Sequence, residues 1–142
     1  NLENFEIDPK KNVIAISADH QSTLFSEAAS ASFHADGWQV YSLGDMSSSI
    51  DVLFDLDLQK FLTKVWKSGT GIMVIVVFSS TEESMKFFAE SVNSIKLKSR
   101  RSLYLAVCGD MKKNTEIEAD LIDEDLEAIL QWSQTTFESS VS

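Results

Sequence analysis

Cys108 is the only cysteine among 142 residues. A lone thiol excludes an internal disulfide and leads us to expect a reducing, cytoplasmic setting. No run of about 18 apolar residues occurs, so no stretch reads as a membrane-spanning helix. The opening NLENFEIDPKK is polar and acidic, unlike a secretory leader. It begins with Asn, and the expectation is one module of a larger protein. Basic charge is scarce: 12 Lys and Arg stand against 22 Asp and Glu, a formal net charge of −10 at pH 7. That argues against nucleic acid, whose binding needs a basic footprint, and against an anionic membrane surface. The five glycines form no cluster, and neither GxxxxGK[ST] nor GxGxxG is present. Nucleotide-cradling loops are therefore missing. The two histidines, His20 and His34, make no recognisable zinc spacing with Cys108 or the scattered carboxylates.

What is present is an ordinary apolar content, 44%, in a chain long enough for one domain with a real core. We place that domain at residues 10–138, with 1–9 and 139–142 as linker ends. NVIAISA (12–18) is almost continuously apolar, the pattern of a strand covered on both faces. A helix follows over 22–36, with Leu24, Ala28, Ala31 and Ala35 at helical spacing. Gly37 closes it, and WQVYSL (38–43) is the second strand. Residues 50–68 form an amphipathic helix on which Leu53, Leu58, Leu62 and Val65 share a face. IMVIVVF (72–78) is the most apolar run and the central strand. The third helix has Ser80 and Glu83 at capping-box spacing and a core stripe of Met85, Phe88, Val92 and Ile95. SLYLAVC (102–108) is the fourth strand and EADLI (118–122) a short fifth. The last helix, over 123–137, starts at Asp123 and turns Leu126, Ile129, Leu130 and Phe137 inward. Five strand–helix alternations with right-handed crossovers predict an α/β, flavodoxin-like parallel sheet of order 2-1-3-4-5 with helices on both faces.

In such sheets ligands bind beyond the carboxyl ends of the strands. That rim is rich in hydroxyls and carboxylates: Ser17, Asp19, His20, Ser22, Thr23, Asp45, Ser47, Ser48, Ser79, Ser80, Thr81 and Asp110, with Cys108. His20 with Ser22 or Cys108 is the base–nucleophile pair an enzyme would need, but no spacing selects it. We therefore expect no catalysis, and an enzyme using His20 ranks third among the readings. The plain roles are a loop hydrogen bond for His20, a surface place near a helix end for His34, and a small buried apolar group for Cys108. Trp38, Trp66 and Trp132 read as core or interface anchors.

Residues 20–53, HQSTLFSEAASASFHADGWQVYSLGDMSSSIDVL, resemble the cobalamin-binding domain family. There a helix is followed by G-W-x-V-x-x-L-G, a loop and a second helix. Gly37, Trp38, Val40, Leu43 and Gly44 match that pattern position by position. The resemblance implies that the loop after Gly44, with Ser47, helps wall a tetrapyrrole site. Ser79 and Ser80 stand where the family has a Ser-containing loop after the third strand. EADLIDEDLEAILQW is similar to its closing ADxxxxDxxxA segment. The family's DxHxxG motif, whose His ligates cobalt, falls with its Asp on His20, its His on Ser22 and its Gly on Phe25. Its close-approach glycine pair after the fourth strand is Cys108 and Gly109.

These departures make the chain similar to a sensory branch that contains heme in place of cobalamin. The implied site is His20, Ser22, Thr23, Gly44, Ser47, Ser79, Ser80, Cys108 and Gly109. Heme is placed ahead of cobalamin, and which cofactor binds, if any, is left open. For heme the available ligands are His20 and His34 as nitrogens and Cys108 as thiolate. A corrinoid-type domain is expected to keep a cleft roofed by the loops at Ser22, Ser47 and Ser79.

The second reading is a pseudo-receiver domain. It shares the βα order, but Ser17 and Ala18 fill its acidic places and Ser79 its phosphoacceptor place. Cys108 and Asp123 or Glu124 stand where its Thr and Lys belong. Either domain implies a signalling module that works through a protein partner or other domains of the same chain. The expected contact surfaces are the last helix and the loops around Asp45 and Asp110, with Trp132 as a possible anchor.

Overall fold

A computed structural model describes residues 6–50, 53–99, 101–110 and 116–141. The strands are β1 (Asp8–Ser17), β2 (Trp38–Asp45), β3 (Ile72–Phe78), β4 (Leu103–Cys108) and β5 (Leu121–Asp123). The helices are α1 (Thr23–Ala35), α2 (Phe54–Val65), α3 (Glu82–Lys98) and α4 (Leu126–Val141). The strands form one sheet in the order β2-β1-β3-β4-β5, and every neighbouring pair is parallel. The expected topology is the observed one. Its cause is visible in β3, buried along its whole length, which only a central strand covered on both faces allows.

Alternate side chains of each strand serve opposite layers. Ile14, Ile16, Ile75, Val77, Leu105 and Val107 meet Phe54, Leu58, Leu62, Met85, Phe88 and Val92 of α2 and α3. Val13, Ala15, Val74, Val76 and Ala106 meet Ala29, Phe33, Ile129 and Phe137 of α1 and α4. Trp38 sits in this second layer, edge-on to Phe33 at 5.4 Å and to Phe137 at 6.3 Å. Trp66 is buried in the first layer. Trp132 is half-buried against the second layer, edge-on to Tyr104 at 6.4 Å. All three are packing residues, and Trp132 is not a projecting anchor.

Several local expectations are corrected. On α1 the inward line is Ser26, Ala29 and Phe33. Leu24, Ala28, Ala31 and Ala35 face outward, and Leu24 is 79% exposed. The large ring of Phe33, held against Trp38, sets the helix's rotation, and small residues let the helix lie close to the sheet. On α2 the buried position is Phe54 rather than Leu53, because one aromatic ring fills the space beside Phe87 and Phe88. Thr81, not Ser80, caps α3, accepting from Ser84 N at 3.2 Å. At the start of α4, Glu127 N donates to Asp125, and Asp123 instead receives Asp125 N. β1 begins at Asp8, and α4 runs on to Val141. Among the described residues no helix is long and apolar enough to cross a membrane.

Candidate functional site

The carboxyl rim is organised around Asp19. Ala18 N still bonds to Phe78 O at 2.8 Å, so β1 stays tied to β3 up to the rim. Asp19 is extended and caps a single 3-10 turn, His20–Ser22. Its Oδ1 accepts from Ser22 N at 3.0 Å and from Ser22 Oγ at 2.8 Å. Its Oδ2 accepts from Ser80 N at 2.7 Å, with Ser84 Oγ at 3.4 Å and Ser79 Oγ at 3.5 Å. One carboxylate thus joins the loop after β1 to the loop after β3.

A hydroxyl cluster backs this junction. Ser79 Oγ lies 2.6 Å from Ser84 Oγ and 2.8 Å from Thr81 O. Ser17 Oγ donates to Asp19 O at 2.6 Å and lies 3.5 Å from Thr23 Oγ1. Partial burial works to raise the Asp19 carboxyl. The bonds from Ser80 and Ser22 outweigh it and hold the group below its ordinary value.

A second, looser group lies on the β2 side. Gly44 adopts φ +70° in the register shift where Ala15 pairs with Ser42 and Ser17 with Asp45. A glycine fits because this left-handed backbone is strained for other residues. The extra residue brings Asp45 beside His20, with Nδ1 to Oδ2 at 3.6 Å. Asp45 also accepts from Ser47 N at 2.9 Å. That amide first, and the nearby His20 to a lesser degree, keep its carboxyl below the ordinary value. The His20 side chain is 92% exposed.

The implied site residues therefore divide. Ser22, Ser79 and Ser80 converge on Asp19, and Thr23 touches the group only through Ser17. His20, Gly44 and Ser47 gather at Asp45. Gly109 lies against the β3 loop, where an added Cβ would come within 2.6 Å of both Ser79 O and Met85 Cε. Cys108 joins neither group. It is buried in the α1–α4 layer, with its Sγ 3.9 Å from Glu124 O. Burial, then the charges of Asp123, Asp125 and Glu124, push its thiol up to about 12. We expect iodoacetamide to leave Cys108 unmodified at pH 8 in the native protein and to alkylate it fully in denaturant. Native-state labelling, read by mass spectrometry, would contradict this burial.

The sequence placed Asp19 on the rim without a role and did not point to Ser84. The signal for Asp19 was its spacing to Ser22, an N-cap pattern. Nothing in the sequence says that its other oxygen reaches across to Ser80.

The residues present do not fit the tetrapyrroles the sequence suggested. At the cobalt-ligand place, Ser22 is buried with its hydroxyl committed to Asp19. Between the β3 and β4 ends, at the position of the family's close-approach glycine pair, Gly109 abuts Ser79 and Met85. For heme, His20 precedes the 13-residue α1 and His34 lies in its last turn, about 20 Å apart at 1.5 Å per residue, so they cannot ligate one iron together, and His20 by itself stands 92% exposed beside Asp45. Cys108 is held as a buried thiol, so it offers no thiolate. The loops expected to roof a cleft are, at Ser22 and Ser79, joined to one another. Among the described residues a recess of about 300 Å³ does open farther along the rim, at Gly109, Asp110, Ile122, Asp123 and Glu124. No group of three or more metal-ligating side chains is placed to hold an ion among the described residues.

A parallel 2-1-3-4-5 sheet with helices on both faces and a polar carboxyl rim defines a flavodoxin-like α/β domain. Its fold is similar to that of the monomethylamine corrinoid protein of Methanosarcina barkeri, with a TM-score of 0.66 over 89% of this chain and 57% of that one. Sequence identity between the two is 17%, so the likeness is one of fold. The chain spans little more than half the length of that protein. Neither protein-family models nor curated proteins match the sequence.

Proposed function

We propose that the chain is a non-catalytic regulatory module that keeps a corrinoid-type fold and acts by protein contact, without a tetrapyrrole at its rim. The observation that carries this reading is Asp19, whose two oxygens join the β1 and β3 loops at the carboxyl rim, where the family resemblance implies a cofactor. Ser22 at the cobalt-ligand place supports it. The absence of catalysis is supported by the two candidate pairs of the enzyme reading. His20 turns to Asp45, and Cys108 is buried and protonated. The contact surface we assign is Asp110, the acidic side chains of residues 116–125 and the loop at Asp45, which suits a basic protein surface. A pseudo-receiver is the second reading. Ser79, at the phosphoacceptor place, is bonded to Ser84 and Thr81 and brings no carboxylate there.

The test is a titration of the protein with hydroxocobalamin and, separately, with hemin, followed by absorbance. No saturable corrin or Soret shift is expected. Saturable binding of either pigment would overturn the proposal. Charge reversal at Asp123 and Asp125 in the full-length protein is expected to abolish its regulatory output, and an unchanged output would remove this surface from consideration.

A further inference from the structure

At the end of the sheet opposite the rim, a cleft of about 280 Å³ opens between the carboxyl-terminal halves of α2 and α3. Leu62, Trp66 and Ile95, all buried, contribute its apolar floor. Lys98, Ser99 and Arg101 stand on its wall, and no carboxylate among the described residues lines it. That is unexpected in a chain with 22 acidic and 12 basic residues.

Arg101 is fixed in place. Its guanidinium stacks 5.4 Å from the Trp66 ring centre, its Nη1 donates to Trp66 O at 2.7 Å and its Nη2 to Lys67 O at 3.5 Å, which leaves each terminal nitrogen one further N–H. The turn opposite makes room for it, since an added Cβ at Gly69 would stand 2.8 Å from Arg101 Nε. Among the described residues neither Lys98 nor Arg101 is ion-paired, whereas nearby Lys96 binds Asp120 at 2.6 Å. Helix dipoles favour cations at the carboxyl ends of α2 and α3, which accounts for Lys64, Lys96 and Lys98. The dipoles do not account for an apolar-floored recess walled by two cations without counterions among the described residues. An oriented guanidinium fork is suited to a planar oxyanion.

We infer that this cleft binds a small organic anion, a carboxylate or phosphate carried on an apolar body. The oxyanion sits between Lys98 and Arg101, and the apolar body lies on Leu62 and Ile95. The volume is at the lower end of small-molecule sites, which fits one ring or a short branched chain rather than a nucleotide. The site lies at the other end of the sheet from the proposed contact surface and stands or falls independently of it.

The test is ¹⁵N NMR of the whole chain, reading the Trp66 indole signal and the Ser99 and Arg101 amides. Phenyl phosphate and benzoate are the two anionic probes and separate a phosphate from a carboxylate preference. Benzyl alcohol supplies the apolar body alone. The Trp66 indole is a fixed reporter, bonded to Thr70 O at 2.9 Å. Saturable shifts are expected with at least one anion, with about tenfold weaker binding in Lys98→Gln and none in Arg101→Gln. Lys98 is exposed, so its replacement leaves the fold intact even if Arg101→Gln disturbs the end of α2. No saturable shift with either anion, equal shifts with benzyl alcohol, or unweakened binding in Lys98→Gln would each overturn the assignment.

Discussion

Asp19→Ala is expected to lower stability by about 3 kcal/mol, because hydrogen bonds to a charged group contribute about 1.5–3 kcal/mol each and their donors are left unpaired. In a domain of this size that is a fall of about 10 °C in Tm. The strongest bonds lost come from Ser80 N at 2.7 Å and from Ser22 N and Oγ. Asp19→Asn separates charge from shape. One amide oxygen can still accept from Ser22, but its NH₂ then faces Ser80 N–H, donor against donor. Acid provides the second measurement. The folded-state value of Asp19 is depressed, so its stabilisation is fully present above the unfolded value, about pH 4. It is lost as pH falls through the folded value. Urea midpoints of wild type and Asp19→Asn should stay apart from pH 7 to about pH 4 and converge below that. A constant gap down to pH 2.5 would show that the carboxylate charge contributes nothing. Hydrogen exchange at the Ser80 amide should rise strongly in both variants, and an unchanged rate would remove Asp19 from the junction.

Gly109→Ala is the second large effect, expected to cost about 2–3 kcal/mol. The new methyl would stand 2.6 Å from Ser79 O and from Met85 Cε. Met85 can move, but Ser79 O belongs to a loop held by Asp19, Ser84 and the β3–β4 ladder. Ser79 N bonds to Cys108 O at 3.1 Å, so the two strand ends cannot part without breaking that bond. The expected result is a lowered thermal midpoint together with amide shifts concentrated at residues 79–81. A midpoint within 2 °C of wild type would show that this contact yields easily and that the passage between the β3 and β4 ends can open. The closed-rim argument against a tetrapyrrole would then fail as well.

The sheet and its order were legible in the sequence because they depend on composition over whole segments. IMVIVVF has no polar residue to turn toward water, so it must lie in the middle of a doubly covered sheet, and right-handed crossovers leave few ways to arrange the rest. The Met85–Phe88–Val92–Ile95 stripe was legible for the same reason, since several large apolar residues agree on one face. The stripe on α1 misled because alanine and serine are too small to fix a helix's rotation, and one distant partner, Trp38, decided it through Phe33. The site was the least legible part. Local sequence shows that Asp19 can cap its own turn, but only the fold brings Ser80, 61 residues away, to its other oxygen. The same holds for Gly109 against Ser79, for Cys108 sunk beneath three carboxylates, and for Arg101 lying on Trp66, 35 residues earlier. Segment periodicity determines where strands and helices run. Which polar atoms meet across loops depends on short-range geometry between distant residues, and only tertiary packing supplies it.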